Sequence, residues 1–565
     1  MKKFFVTTVA LAFVAVNSFA QTLEEGIRYI NYERSAKAVQ VLQQVVSGKP
    51  KDPLSIYWLG QAMLSEVPPD VSAAKNLYQQ ALNNGVNDPY IWIGMGEVEL
   101  LETNNINSAK QRFEQAITAT RKRNQDDPNI VSAIGRAMAA GSSKVGDPQY
   151  AVDKLKKAGD IDKKNADIYM NLGVNYLKMG SENGGNAVEA FREAISRTTD
   201  PTLKAAAMYR IGRIYETQQN KESMDTWFGQ AIATDPAFAP AYLAYFNWYK
   251  DRDVNAARDY IQKYMANADK SCETDAYYAD YLYRAGKYQE SIAKTREMEN
   301  GACRGDSHIP MLYAYNYNRL GDSVQAKAMV ERFFASAKPE QIQPDHYLFA
   351  ASVEKKFRGS EQTAIGFLQK ALETDTVRAN RMQYLDTIAY LYGLQGKQAE
   401  RVQVLRQQFM MNPNPTNTQI YNFGDVAYKS GNLNLADSMF NLYKQKYPDQ
   451  IYGYSGLARV AIARDRDTTT GSAVPVVMEY IDALKRIDAQ KYKQTIITNY
   501  SYLIYVHANV QKDYAAALKD VEGILAIDPE NSYGKTVSEQ LKKALSRPQP
   551  PSRSSGAPRT TKGTK

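Results

Sequence analysis

Tyr209 to Pro236 reads YRIGRIYETQQNKESMDTWFGQAIATDP, and its small and aromatic residues recur elsewhere in the chain. Gly212 stands 16 residues before Phe228 and 24 before Pro236. Phe423-Gly424 repeats this, with Gly424 at the same two offsets from Phe440 and Pro448 and Ala436 in between. Leu172-Gly173, Tyr176, Gly180, Ala187, Phe191 and Ala194 follow the same order with two residues inserted. A period of about 34 residues built on small and aromatic positions predicts stacked helical hairpins. Antiparallel helices pack closely where one offers a notch. Gly173, Gly212 and Gly424 are read as that notch on the first helix, and Ala187, Ala436 and Ala517 on the second. Tyr176, Tyr215, Phe191, Phe228 and Phe440 then fill the space between neighbouring hairpins. Proline closes the second helix, because it cannot continue one. Asp-Pro recurs at Asp52, Asp88, Asp127, Asp200, Asp235 and Asp528.

A single hairpin cannot bury its own apolar face, so the units must stack as a solenoid. The pattern resembles the tetratricopeptide (TPR) repeat. The best units run Ile168–Ile195, Tyr209–Pro236 and Ile420–Pro448; Tyr242–Tyr264 and Asp275–Ile292 keep part of the signature. The resemblance implies an all-α, right-handed superhelix, with roughly fourteen hairpins between Thr22 and Ile527. Asn531 to Ser546 is read as a capping helix, with Leu541 and Leu545 inward and Lys535, Lys542 and Lys543 on the wet face. An elbow is expected near 268–310. Arg464 to Pro475 is expected to project as a polar loop. Gly141 to Pro148 and Ser181 to Asn186 are expected to be loosened turns.

The ends are different in kind. Lys2, Lys3, the apolar run Phe4 to Val16 and Ser18-Phe19-Ala20 predict a signal peptide over 1–20, cut before Gln21. The run is short for a membrane span, and no cysteine follows it to carry a lipid. The expected location is the periplasm. Arg547 to Lys565 is a Pro/Ser-rich basic tail that composition predicts to be disordered. The whole chain has 565 residues and a formal charge of +9. The leader and tail carry seven of the basic residues, so the body holds 63 basic against 61 acidic residues. Such balance argues against a nucleic-acid groove and leaves weak contact with an anionic surface to the tail.

Cys272 and Cys303 are the two cysteines. With helices read over Thr274–Ala285 and Tyr288–Met298, they flank one hairpin, and antiparallel packing predicts a disulfide between them. His308, His346 and His507 lie far apart and outside metal-spaced motifs. Neither a phosphate loop nor a nucleophile elbow is present in the sequence. The chain is therefore read as non-catalytic, without metal or cofactor. Arg304-Gly305-Asp306 matches an adhesion tripeptide but is read as a turn.

The remaining reading is binding. First helices of stacked hairpins line a groove suited to an extended segment or a helix. Chaperone-binding members of the family hold a terminal carboxylate with Asn and basic residues on three first helices. Asn171 and Arg210 occupy matching positions here, and Arg136 lies in the unit before. Ser132 and Ala206 stand where that clamp uses Lys, so the match is partial. A general polar groove of Arg136, Asn171, Asn175, Arg210 and Arg213, with Tyr245 and Tyr249, is the candidate site. Its expected occupant is a segment of an envelope protein, the chain acting as a scaffold. The alternative is a glycan- or wall-binding module using exposed tyrosines. SusD-like glycan binders also contain such helices, but resemble this chain less well.

Overall fold

The structure is a computed structural model that describes residues 22–301 and 303–546. The signal peptide and basic tail read from the sequence lie outside the described residues. Among those described, 29 α-helices follow one another in the order of paired hairpins, with Ser532–Leu545 last and unpaired. The only extended pairing among them is one isolated bridge between Lys122 and Gln125. The chain divides into two compact units after Asp322.

The first unit holds eight hairpins, from Leu23–Asn31 with Ser35–Gly48 to Cys272–Arg284 with Tyr288–Asn300, and then Ile309–Arg319. The second opens with Ser323–Ser336 and holds five hairpins, from Pro344–Glu354 with Glu361–Thr374 to Lys493–Tyr505 with Tyr514–Ile527. Among the described residues no helix is long and apolar enough to cross a membrane.

The notches work as sterics requires. A Cβ on Gly173 would come within 2.5 Å of the Phe191 ring, and one on Gly424 within 2.8 Å of Phe440. A Cβ on Gly212 would overlap Phe228. Phe440 is also pressed against Gly456 of the next hairpin, so one ring fills two notches. Phe228 likewise lies between Gly212 and the edge of Tyr245, centroids 5.3 Å apart. Phe191, Phe228, Phe440, Ala187, Ala436 and Ala517 are fully buried.

The Asp-Pro dipeptides act differently from the sequence reading. Pro53, Pro89, Pro128 and Pro201 open the next first helix rather than merely closing the second. Asp52, Asp88, Asp127 and Asp200 cap those helices, accepting from the N–H of Ser55, Tyr90, Asn129 and Thr202, each at 2.9 Å. Proline suits the first helical position, since its missing N–H has no partner there and its fixed φ is already helical. Asp235 and Asp528 instead follow the ends of the preceding helices. At the turn inside one hairpin, Gly431 takes φ +80°, and its N–H and that of Asn432 bind the carbonyls of Tyr428 and Ala427. That left-handed closure is open to glycine without strain.

Three local expectations change. The Arg464–Pro475 stretch is pinned: Asp465 accepts from the N–H and hydroxyl of Thr470 at 2.9 and 2.8 Å, and Ala473 is buried. Leu541 is buried, but Leu545, in the last turn, is exposed because no further hairpin follows to cover it. Cys272 is the first residue of its helix rather than a residue before it.

Candidate partner-binding groove

In the first helices Pro53–Leu64, Pro89–Thr103, Pro128–Ala139, Ala166–Met179 and Pro201–Thr217, the residue directly after the notch glycine falls at one fixed position. In chain order these residues are Gln61, Glu97, Arg136, Val174 and Arg213. Their environments grade from closed to open. Gln61 and Glu97 are buried, and the Gln61 amide donates to the Glu97 carboxylate at 2.5 Å. Burial pushes the Glu97 carboxyl up to about 7, opposed by that hydrogen bond and by Arg136 and Lys178. Lys178 is lowered to about 8, also by burial and against the pull of Glu97. Its ammonium donates to the Met138 carbonyl at 2.9 Å and to that of Ala140. Arg136 lies over the Trp58 ring, 4.5 Å from its centroid, with Asp167 at 3.9 Å. Arg213 reaches solvent, paired with Glu216 at 2.6 Å. Gln61 and Glu97 escaped the sequence reading, although their place after Gly60 and Gly96 is the signal that marks them.

The groove residues read from sequence separate into two groups. The Asn171 amide donates to the carbonyl and hydroxyl of Ser132 at 3.0 and 2.9 Å. Asn175 is fully buried and donates to the carbonyls of Gly135 and Asn171, each at 2.8 Å. Both therefore tie their helix to the previous hairpin and present no surface for a partner in this structure. Tyr245 is buried, donates to the Asp225 carbonyl at 3.1 Å and stacks on Tyr260 at 4.5 Å. Tyr249 is half-buried in the same stack, 5.7 Å from Tyr260. Tyr242, Tyr281 and Tyr313 are also buried. Tyrosine abundance here serves packing between repeats more than display. Arg210 and Arg213 remain as the charged pair on the inner side of Pro201–Thr217.

These arginines face a feature the sequence did not suggest. The turn of the first hairpin, Tyr32-Glu33-Arg34, is brought against the sixth to eighth hairpins of the same unit. The Tyr32 hydroxyl donates to Asp235 at 2.8 Å and lies 3.2 Å from the Thr202 hydroxyl, and its ring lies 6.3 Å from that of Phe238. The Arg34 guanidinium and the Lys37 N–H donate to the two oxygens of Asp269 at 2.9 and 3.1 Å. Between them, Glu33 takes φ +57°, uncommon for a residue with a Cβ. The surrounding protein pushes the Glu33 carboxyl above its ordinary range, and the charges that oppose this are Arg210 and Arg213. Neutral hydrogen bonds contribute about 0.5–1.5 kcal/mol net, and charged ones about 1.5–3. The contact combines these polar bonds with the Tyr32 ring, which packs on the apolar cluster around Phe238.

The other candidates are held in structural contacts. Among the described residues, no group of three His, Cys, Asp or Glu side chains could hold a metal. His507 pairs with Asp520 at 2.6 Å in the helical stretch Val506–Gln511. His308 and its own N–H are held by Asp306 at 2.9 and 2.8 Å, which makes the Arg304-Gly305-Asp306 segment part of a turn. Cys272 and Cys303 are joined by a disulfide, with Cα atoms 5.2 Å apart.

Residues 205–238 match the tetratricopeptide repeat family. With the hairpin geometry above, the fold is that of a tetratricopeptide-repeat solenoid, built from stacked helical hairpins. Solved structures give similarities at the level of the fold. The C-terminal part of a TPR repeat-containing protein from Cytophaga hutchinsonii is 24% identical, over 46% of this chain and 98% of that one, at a TM-score of 0.30. A tetratricopeptide repeat protein from Parabacteroides merdae is 15% identical, over 54% and 98%, at 0.28. Yeast Tom70 is 10% identical, over 72% and 95%, at 0.37. No curated protein matches the chain.

Proposed function

We propose that this protein is a non-catalytic scaffold of the cell envelope, exported to the periplasm, that holds a segment or helix of a partner protein on the inner face of its first helices. The observation that carries this reading is the open end of the polar ladder. Arg213 is exposed beside Arg210, whereas the equivalent Gln61 and Glu97 are closed off. Two guanidiniums on one helix favour an acidic segment, since their planar donors match carboxylates. Arg136 over Trp58 extends the cationic surface toward the earlier hairpins. Tyr249 would supply an apolar edge with a hydrogen-bonding tip. The tail would add salt-sensitive contact with an anionic surface.

The test is a crosslinked pull-down from the native envelope with the intact chain and with an Arg210→Ala/Arg213→Ala variant. Specific proteins held by the first and released by the second support the reading. Proteins held equally by both would move the interface elsewhere. Capture of wall polymer alone, without protein, would replace the scaffold with a glycan-binding module.

A further inference from the structure

We propose that the Tyr32-Glu33-Arg34 turn is a resident ligand of the groove, and that the partner displaces it with a segment of the same chemistry. That segment presents an aromatic hydroxyl, an acid and a guanidinium in succession on a turn. The inference rests on the reading that this face binds a partner, and it names what the partner offers.

Three observations carry it. First, the turn meets two separate recognition points in register. Tyr32 meets Thr202 and Asp235, and Arg34 meets Asp269. Second, these receptors belong to three successive hairpins. Thr202 opens the Pro201–Thr217 helix, Asp235 precedes the Ala239–Tyr249 helix and Asp269 precedes the Cys272–Arg284 helix. A surface built across hairpins in this way is how a repeat solenoid reads an extended ligand. Third, one receptor carboxylate is also held by the scaffold itself. Asp235 accepts from the Ala237 N–H at 3.1 Å through Oδ1 and from the Thr202 hydroxyl at 2.9 Å through Oδ2, the oxygen that Tyr32 also meets.

Glu33 takes the left-handed φ that closes the Leu23–Asn31 helix, as Gly431 does in its own hairpin, its N–H and that of Arg34 binding the carbonyls of Ile30 and Tyr29. That closure sets Tyr32 and Arg34 next to it in the chain, where the hydroxyl and the guanidinium each meet an acid. Because turn and groove share one chain, the internal ligand acts at a high effective concentration. A partner in trans meets a site already filled, and its apparent affinity falls by the fraction of time the turn is bound.

The experiment uses a labelled synthetic peptide spanning Ile27 to Val39, titrated by fluorescence anisotropy against three full-length proteins. These are the intact chain, a Tyr32→Phe/Arg34→Ala variant that weakens the resident turn, and the same variant with Asp235→Asn and Asp269→Asn added. The expected result is at least a tenfold gain in peptide affinity for the first variant, and loss of that gain when the two carboxylates are removed. Equal affinity for all three, or no binding to any, overturns the proposal and leaves the turn as a structural contact. Circular dichroism melts check that each protein is folded. Should the double variant fail to fold, Arg34→Lys alone is expected to give a gain of a few-fold, and no gain would count against the proposal. Envelope proteins still captured by Arg210 and Arg213 in the absence of peptide binding would retain the scaffold and remove only this inference.

Discussion

The hairpin Ala166–Arg197 and its neighbour Pro201–Thr234 share one core and differ on one face. Each closes a glycine notch with a phenylalanine, Gly173 with Phe191 and Gly212 with Phe228. Both phenylalanines are fully buried. Yet the first hairpin uses its inner polar residues, Asn171 and Asn175, to bind carbonyls of the hairpin before it. The second presents Arg210 and Arg213 to the turn of the first hairpin and to solvent. Side-chain reach accounts for the difference. A short amide two residues before or after the notch meets the adjacent backbone, whereas a guanidinium extends past it. The core positions thus set the architecture, and the length of the side chain at the intervening positions decides whether a hairpin binds its neighbour or a partner.

The shared core gives the largest expected effects. Phe191→Ala and Phe228→Ala should each weaken the local hairpin by about 3–5 kcal/mol, as loss of a buried ring does. Native-state hydrogen exchange of the two hairpins reads this directly, since a repeat array opens locally. A cost in one hairpin and not in the other would break the equivalence. Glu97 sharpens the same contrast through pH. Its folded carboxyl titrates at about 7 against an ordinary 4.5, so the folded state keeps a proton that the unfolded chain releases between those values. Stability should therefore fall as pH rises through that window, by on the order of 3 kcal/mol, and stay level above it. Glu97→Gln should remove this slope and raise the melting temperature at pH 8; an unchanged pH profile would mean that Glu97 is not closed off.

Asn175→Ala should cost about 1–3 kcal/mol, because it strips the Gly135 carbonyl of a buried donor. Partner capture should survive it, and loss of capture with unchanged melting would return Asn175 to the groove. The smallest change in stability is expected at Arg213→Ala, within about 1 kcal/mol, since the guanidinium of its pair with Glu216 is exposed. That variant should nevertheless lose partner binding. Stability and binding would then separate cleanly between the two hairpins.

The repeat was legible because its marks are steric. Only glycine clears the Phe228 ring, and the 16-residue spacing to Phe228 or Phe440 runs from the end of the first helix through a three-residue turn and into the second. The Asp-Pro pairs were legible as boundaries, though not as the capped starts that Asp52 and Asp200 make. The site was less legible. Asn171 and Arg210 occupy the same repeat position, and nothing in that position says which one bends back to a carbonyl. The seat of Tyr32 on Asp235 joins residues 203 positions apart. It depends on how successive hairpins are rotated, a quantity with no local mark in the chain. Gln61 and Glu97 could have been found from the notch glycines that precede them.

The central claim is that partners are read from the inner side of the sixth hairpin. A photo-activated crosslinking side chain placed at Arg213, and in a second protein at Gln230 on the exposed side of Lys221–Thr234, tests it most directly. After irradiation in the native envelope, mass spectrometry would identify what each position touches. The account predicts a partner protein crosslinked from position 213 and none from 230. The same partner crosslinked from 230 and absent from 213 would contradict it.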